Sequence, residues 1–428
     1  MKHKWILLTA FGLIFLLAAC GGNQGTRVTL AFDDVLGKPA YPAAVAYQTG
    51  DGEWANLWPN DEGEYVFYVP PGEERYGVAV VCGILFDSSF NSGSVYQLTT
   101  NDTTEPLLPC PGFSAPIAYM SGQGDVSALA GGASFIVYGA YDEDDSPNSN
   151  KDDFDDLMMV EGEAASAVLL AYDTTHTSDP DHLIGGRVFH GINASGVFDH
   201  DLTLSSSDAV REHHVNSFTI PAGWSNSSYK VGLYAAGGAT AFEGQLGRGD
   251  AAGGSFYSLP GSAAGDLYAI SADANGSSNR SVGYLALVDA TEIGDVSPAL
   301  NMTPLPDTYT VTAAARPSFP LDAANSNLDL HYIMILNLPS AWFYMISERW
   351  RGDSSSYQPP DLESLAGFAG TTPRKNEELR WFYASARTSS GSKAYFESGH
   401  VLFGQMVVLP RVPGTLQSAS INGSLTVP

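Results

Sequence analysis

Short stretches in which apolar and polar residues alternate recur along most of the chain. In RVTLAF, residues 27–32, every second side chain is apolar, and EYVFYV, residues 64–69, repeats this period of two. The run AAVAYQ, residues 43–48, is soon followed by Asp51-Gly52, and Asp-Gly between two strand-like runs is typical of a hairpin. A period of two predicts strands with one buried face.

Beyond residue 112 the pattern continues with less regular spacing. Residues 329–350 are the most apolar segment after the N-terminal run, but they contain His331, Asn337 and Pro339. We therefore expect two buried strands, or one long bent strand, instead of a membrane span. Helix signals are few, and the main one is residues 152–172, which are expected to hold one helix. Residues 361–368 are expected to form a single helical turn.

These patterns predict an all-β fold with two to three β-sandwich domains in tandem, Ig-like or carboxypeptidase-regulatory-like. We expect an N-terminal sandwich at residues 26–112, a second β region with acidic and histidine-rich loops at 113–305, and a C-terminal β domain at 306–428. A length of 428 residues accommodates such an array.

The first residues have the pattern of an export signal. Lys2 and Lys4 precede an apolar run, residues 5–19, that is shorter than the roughly 20 residues of a transmembrane helix. The run ends in Leu17-Ala18-Ala19-Cys20, which resembles the bacterial lipobox. The resemblance implies cleavage before Cys20 and acylation of this cysteine. The alternative is an ordinary secretory signal that happens to end near a cysteine.

This interpretation also predicts where the protein resides. Residues 1–19 are the expected signal peptide, and residues 20–25 form a glycine-rich, flexible tether. Two or three acyl chains hold a protein stably on a bilayer, whereas one holds it only marginally. Gly21 occupies the position where some two-membrane bacteria use Asp for inner-membrane retention. We therefore expect a lipid-anchored protein of the bacterial cell envelope, at the outer membrane or cell surface rather than the inner membrane.

Charge excludes several classes of partner. The formal net charge is −27, and loss of Lys2 and Lys4 with the signal peptide takes it to −29. Such a chain repels nucleic acid phosphates and anionic lipid headgroups. We expect no nucleic acid partner, and we expect attachment to the membrane through the lipid alone.

The three cysteines fit the same interpretation. If Cys20 carries lipid, Cys82 and Cys110 remain, and an exported chain meets an oxidising compartment. The sequence therefore predicts a Cys82–Cys110 disulfide, with two free buried thiols as the alternative.

One further resemblance covers about ninety residues. VAYQTGDGEW (45–54), YGVAVVC (76–82) and the later Cys110 resemble the first domain of uncharacterised bacterial lipoproteins from Deinococcus–Thermus and similar lineages. The resemblance implies an envelope location and a β-domain, and it implies no particular activity.

The acidic segment 142–156 is one candidate for metal binding. It contains eight carboxylates and a single Lys, and Asp142, Asp144 and Asp153 are the candidate calcium ligands because calcium prefers clustered oxygen atoms. However, Pro147 stands where a calcium loop requires Gly, so the alternative is a solvated surface loop. We expect no cofactor, with bound calcium as the alternative.

Histidines form a second group. Six of the nine lie between residues 176 and 214, interspersed with carboxylates, and His190 and His200 are the candidate ligands for a transition metal. Their spacing matches no zinc motif, so surface histidines are the alternative. Four tryptophans are candidates for a glycan or peptide groove, with core packing as the alternative: Trp54, Trp58, Trp224 and Trp350.

The sequence contains no nucleophile elbow, P-loop or dinucleotide-binding fingerprint. We therefore expect a non-enzymatic envelope lipoprotein that binds a glycan or another envelope component, or that has a structural role. The alternative is a membrane-anchored hydrolase or metal-dependent enzyme that uses carboxylates and histidines of segment 142–214.

Overall fold

The structure is a computed structural model, and 51% of it is strand and 5% helix. It describes residues 25–34, 37–82, 91–110, 116–140, 142–175, 179–241, 244–337, 340–370, 372–398, 400–403 and 407–428. The prediction of an all-β fold is confirmed. Within the described residues, no helix is long and apolar enough to cross a membrane.

Thirty strands are described, and many have the length and alternation expected of half-buried strands. The first group is β1 (Thr26–Asp33), β2 (Ala44–Thr49), β3 (Ala55–Asn56), β4 (Tyr65–Val69), β5 (Arg75–Cys82), β6 (Asn91–Thr99) and β7 (Leu107–Pro109). The second group is β8 (Ile117–Asp125), β9 (Ser134–Tyr138), β10 (Glu143–Ser146), β11 (Lys151–Val160), β12 (Gly162–Tyr172), β13 (Leu183–Ala194), β14 (Val197–Asp199), β15 (Leu202–Thr203), β16 (Arg211–Val215), β17 (Asn226–Tyr234), β18 (Thr240–Ala241), β19 (Gly247–Gly249), β20 (Gly254–Ser258), β21 (Leu267–Asn275) and β22 (Arg280–Asp289).

The third group is β23 (Phe319–Pro320), β24 (Leu330–Asn337), β25 (Ser340–Ser347), β26 (Ser356–Tyr357), β27 (Glu378–Thr388), β28 (His400–Phe403), β29 (Val407–Pro410) and β30 (Gly414–Thr426). Two short helices, α1 (Glu348–Arg351) and α2 (Gly391–Glu397), and two 3-10 turns (Pro180–His182 and Ala290–Glu292) complete the described elements.

The largest sheet has 13 strands and includes strands from all three groups. Its order is β18-β17-β21-β22-β30-β27-β24-β25-β6-β5-β2-β3, and β19 also pairs with β17. The neighbours are antiparallel except at β25 and β6, which run parallel from Ser340 beside Asn91 to Ile346 beside Gln97. This parallel contact joins N-terminal and C-terminal strands in one sheet. The domain boundaries drawn from the sequence stay predictions.

Three further sheets pack against neighbours to form layered cores. The sheet β4-β1-β7 lies against one face of the large sheet, and Val28 and Phe67 share a cluster there with Val78 and Met345. The sheets β11-β8-β14 and β10-β9-β12-β13 enclose a separate core, and β15 pairs with β8 beside it. Such face-to-face packing of apolar sheet surfaces is the general way in which sandwiches bury their cores.

Glycines allow tryptophans to lie flat on the other face of the large sheet. Trp342 on β25 is in register with Gly93 on β6, and a Cβ atom at Gly93 would overlap the indole ring. Trp381 on β27 is placed over Gly423 in the same way. Between the two tryptophans, Ile335 on β24 pairs with both. A line of glycine, tryptophan and isoleucine residues therefore crosses the five strands β6, β25, β24, β27 and β30.

The predicted helix at residues 152–172 is wrong, because this segment forms β11 and β12. Strand β12 pairs with β9 on one side and β13 on the other, and its residues Ala165–Tyr172 are all buried. A strand that is buried on both faces has a continuous apolar sequence, which local pattern alone does not distinguish from a buried helix. Residues 361–368 likewise contain turns, with Leu365 N–H bonded to the Leu362 carbonyl, and no helix.

Of the two alternatives expected for residues 329–350, the structure contains the two strands, β24 and β25, which pair antiparallel. The segment 393–410 begins within α2 and then forms the pair β28–β29.

Candidate functional site

The structure contains the predicted disulfide. Cys82 ends β5 and Cys110 follows β7, with an Sγ–Sγ distance of 2.11 Å and a Cα–Cα distance of 5.3 Å. Both residues are buried. Since β5 belongs to the large sheet and β7 to the sheet β4-β1-β7, the disulfide cross-links the two layers of the N-terminal core. Cys20, the predicted lipidation site, lies outside the described residues.

The acidic segment forms strands instead of a loop. Asp142, immediately before β10, accepts the Met158 N–H with both carboxylate oxygens at 2.9 Å, and Asp144 accepts the Asp155 N–H at 3.0 Å. Both donors lie on β11. Burial raises the pKa of Asp142. These carboxylates therefore satisfy amides of β11 that the strand β8, its sheet neighbour, leaves free.

Asp153 lies elsewhere on β11 and accepts the Gln123 side-chain amide at 3.2 Å. Asp142, Asp144 and Asp153 do not converge, and the described part of the chain contains no cluster of three or more His, Cys, Asp or Glu side chains placed to hold a metal.

The two candidate histidines have different surroundings. His190 on β13 contacts Asp266, with 3.0 Å between Nε2 and Oδ2. Asp266 is fully buried and also accepts the N–H groups of Ala236 at 2.7 Å and Ala263 at 2.8 Å. His200 is exposed between β14 and β15, and its backbone N–H donates to the Ser121 carbonyl at 2.8 Å. Neither histidine belongs to a cluster of metal-ligating side chains within the described ranges.

Other histidines of the same stretch also have local partners. His182 Nδ1 lies 2.8 Å from Asp173 Oδ1. His213 Nε2 lies 2.9 Å from Ser258 Oγ, and its ring stacks on Phe256 with 5.3 Å between centroids. Burial, aided by the nearby positive charge of Arg211, lowers the pKa of His213. His176 lies outside the described residues.

A buried chain of hydrogen bonds was not predicted from the sequence. His331 on β24 is fully buried, with Nδ1 2.9 Å from the Tyr383 hydroxyl and Nε2 2.7 Å from Glu348 Oε2. Glu348 also accepts Arg351 Nη1 at 2.6 Å, and the Asp322 N–H donates to the Tyr383 hydroxyl at 2.6 Å. Both ring nitrogens of His331 have a hydrogen-bond partner when the Tyr383 hydroxyl donates to Nδ1 and Nε2–H donates to Glu348.

The charge state of this chain follows from its contacts. Burial alone would raise the pKa of Glu348, but the hydrogen bonds from His331 and Arg351 outweigh burial and lower it. Burial raises the pKa of Tyr383. The sequence signal was the single histidine in the most apolar segment, since a buried titratable group requires a polar partner.

A second buried polar cluster surrounds Asp102, which is 1% exposed. Its carboxylate accepts the N–H and hydroxyl of Thr99, both at 2.9 Å, the Ser347 hydroxyl at 2.5 Å and the Ser392 hydroxyl at 2.9 Å. Arg349 Nη1 lies 3.7 Å away. The cluster ties the end of β6 to residues of the C-terminal strands and helices, so its role is structural.

Three of the four candidate tryptophans pack against neighbours. Trp54 lies over Gly77, and Trp224 lies over Gly276 with the Arg280 guanidinium 5.6 Å from its ring centroid. Trp350 contacts Tyr357 with 6.1 Å between ring centroids. Trp58 differs, because it is 69% exposed.

An apolar row also lies on the outer face of β11-β8-β14. Tyr119 on β8 is in register with Met158 on β11 and with Val197 on β14. Tyr119 is 39% exposed and Val197 78% exposed. The alternate residues Ala118 and Met120 are fully buried in the core beneath.

Comparisons with known proteins add little to this geometry. No family model and no curated protein matches the chain. A structure of the Bacillus anthracis TIE protein is similar at 10% identity and a TM-score of 0.16, over 64% of this chain and 50% of that one. A streptococcal ancillary pilin is similar at 9% identity and a TM-score of 0.14, over 64% of this chain and 98% of that one. The chain thus spans half the length of the TIE protein chain, and likeness at these TM-scores carries no argument about function.

Proposed function

We propose that the protein is a lipid-anchored protein of the bacterial cell envelope that acts by binding or by structural support rather than by catalysis. The observation that carries this proposal is the sequence Leu17-Ala18-Ala19-Cys20, which lies shortly before the first described residues. Strand β1 begins at Thr26, only six residues after Cys20. Six residues span at most about 20 Å, so acylated Cys20 would hold β1 close to the bilayer.

The disulfide supports an exported location. Disulfides persist in oxidising compartments such as the periplasm and the cell surface, and they are rare in the cytosol. The Cys82–Cys110 bond also leaves Cys20 as the remaining thiol of the chain. A single N-terminal cysteine behind an apolar run is the arrangement that acylation requires.

The use of buried carboxylates supports a non-catalytic role. Asp102 accepts four hydrogen bonds, and Asp266 accepts two backbone amides and the His190 ring. Asp322 accepts the Ser385 hydroxyl at 2.6 Å and the Asn325 amide at 2.7 Å. Carboxylates whose oxygens are already occupied by fixed donors stabilise the fold and are poorly available for proton transfer.

Metabolic labelling with an alkyne fatty acid tests the anchor in bacterial cells that express the full chain. We expect the wild-type protein to carry label and to sediment with membranes. The Cys20→Ala variant should lose both properties, while the matched Cys82→Ala/Cys110→Ala variant should retain the label. Label on Cys20→Ala, or an unlabelled wild-type protein in the soluble fraction, would overturn the proposal.

A further inference from the structure

We propose that the outer face of the sheet β11-β8-β14 docks a cationic, partly apolar segment of a partner protein. This inference names the partner chemistry of the binding role proposed above and rests on that role. The face is centred on the row Met158–Tyr119–Val197, in which three neighbouring strands place apolar side chains side by side. We refer to these three residues as the apolar row.

The apolar row is left open by the rest of the described chain. Val197 is 78% exposed although its strand is hydrogen bonded along β8, and Tyr119 is 39% exposed. The opposite face of the same strands packs into the core, since Met120 and Phe154 are 0% and 1% exposed. One face of this sheet therefore builds the core, while the other presents apolar surface to solvent, which is a feature of interaction sites.

Carboxylates flank the apolar row on both sides. At one end Asp199 is in register with Ser121, two residues beyond Tyr119, and the Ser121 hydroxyl accepts the Asp156 N–H at 3.1 Å. At the other end Glu161 follows β11 and accepts the hydroxyl of Ser195, two residues before Val197, at 3.4 Å. Within the described residues no cation forms a salt bridge with Asp156, Glu161 or Asp199.

The negative charge around the apolar row determines which kind of partner this face attracts. Residues 113–305 contain 25 Asp and Glu but only 6 Lys and Arg, so the region around the face is strongly negative. A second copy of the chain, a phosphate-bearing polymer and an anionic bilayer would all be repelled. A protein segment with Lys or Arg beside apolar side chains complements both the flanking carboxylates and the apolar row.

Two synthetic peptides of equal length and charge serve as probes, one alternating Lys and Val and the other alternating Lys and Ser. Binding to the full chain in detergent is measured by fluorescence anisotropy at 0.05, 0.15 and 0.3 M salt (about 14 to 6 Å screening length). We expect the Lys/Val peptide to bind more tightly. We expect Tyr119→Ser/Val197→Ser to weaken it about tenfold, which corresponds to about 1.4 kcal/mol of lost apolar contact for the two side chains together.

Matched variants distinguish binding at the apolar row from general electrostatic attraction to the acidic chain. Tyr41→Ser/Tyr68→Ser removes exposed aromatic surface elsewhere and should leave the affinity unchanged. Glu161→Gln/Asp199→Asn should reduce the salt dependence more than Asp61→Asn/Glu62→Gln, which removes the same charge from the loop between β3 and β4. If the serine pair does not fold, Val197→Thr, which preserves shape and β propensity, should still weaken binding.

Equal binding of both peptides, equal losses in the two serine pairs, or self-association through Val197 would overturn the proposal. Fatty-acid labelling of Cys20 is scored on the same preparations. A labelled protein that binds the peptides without using the apolar row contradicts only the docking face. An unlabelled protein that does use it contradicts only the anchor.

Discussion

Replacing Asp102 with Ala tests whether a single buried carboxylate holds the end of β6 against the C-terminal part of the chain. Asp102 is 1% exposed and accepts two bonds from Thr99, one from Ser347 and one from Ser392. Hydrogen bonds to a charged acceptor contribute about 1.5–3 kcal/mol each, and deletion leaves four buried donors without that acceptor. Because the donors partly find other partners, we expect a loss of about 3–5 kcal/mol in the free energy of unfolding.

Urea unfolding followed by near-ultraviolet circular dichroism measures this loss. The matched control is Asp61→Ala in an exposed turn, which should change stability by less than about 0.5 kcal/mol. A double-mutant cycle with Ser392→Ala should give a coupling of about 1–2 kcal/mol, because the two side chains share one hydrogen bond at 2.9 Å. A loss below about 1 kcal/mol for Asp102→Ala, or strict additivity in the cycle, would refute this reasoning.

Three further predictions use the same urea assay. Removing the disulfide with Cys82→Ser/Cys110→Ser should cost about 3–4 kcal/mol, as expected for a closed loop of this size, and a cost near zero would contradict the cross-link between layers. Gly93→Ala should cost about 1–3 kcal/mol because its Cβ overlaps the Trp342 ring, whereas Gly294→Ala, with open space around it, should cost little; equal costs would contradict the packing. The lowered pKa of Glu348 means that its ionised form stabilises the fold above the ordinary value of 4.5, and this contribution is lost as the pH falls through the lower folded-state pKa. The destabilisation caused by Glu348→Gln should therefore be present at pH 7 and shrink below pH 4.5, and a difference that grows on acidification would contradict the contact with His331 and Arg351.

Local pattern predicted those parts of the fold that depend on neighbours in sequence. The alternation in residues 27–32 and 64–69 corresponds to β1 and β4, which pair from Thr26 with Val69 to Leu30 with Tyr65. The apolar segment 329–350 forms the antiparallel strands β24 and β25, as its continuous apolar sequence predicts, and β25 places Trp342 in one core and Met345 in another. Strands β1 and β4 each place one face in a core, so their sequences carry the period of two.

Contacts between distant segments were not predictable in this way. The parallel pairing of β6 with β25 joins residues about 250 positions apart, and neither strand's sequence identifies the other as its partner. Strand β12 was mistaken for part of a helix because two sheets bury it from both sides. A pattern read along the chain reports how buried a residue is, and it does not report which segment buries it.

The candidate sites show the same limit at the level of side chains. Asp142 and Asp144 were proposed as calcium ligands because carboxylates cluster in the sequence, but their oxygens accept the N–H groups of Met158 and Asp155 on β11. That role depends on which edge of β11 is left unpaired, which only the sheet order defines. His331 did carry a usable signal, since a histidine in an apolar run must find polar partners, but Tyr383 lies 52 residues away.

Mass spectrometry of the N-terminal peptide of the mature protein tests the central claim most directly. The anchored-lipoprotein account predicts that the membrane-extracted protein begins at Cys20 and that this residue carries the mass of a diacylglyceryl group, with or without an acylated amine. A mature chain that begins at another residue, or an unmodified Cys20 on the protein recovered from membranes, would contradict it.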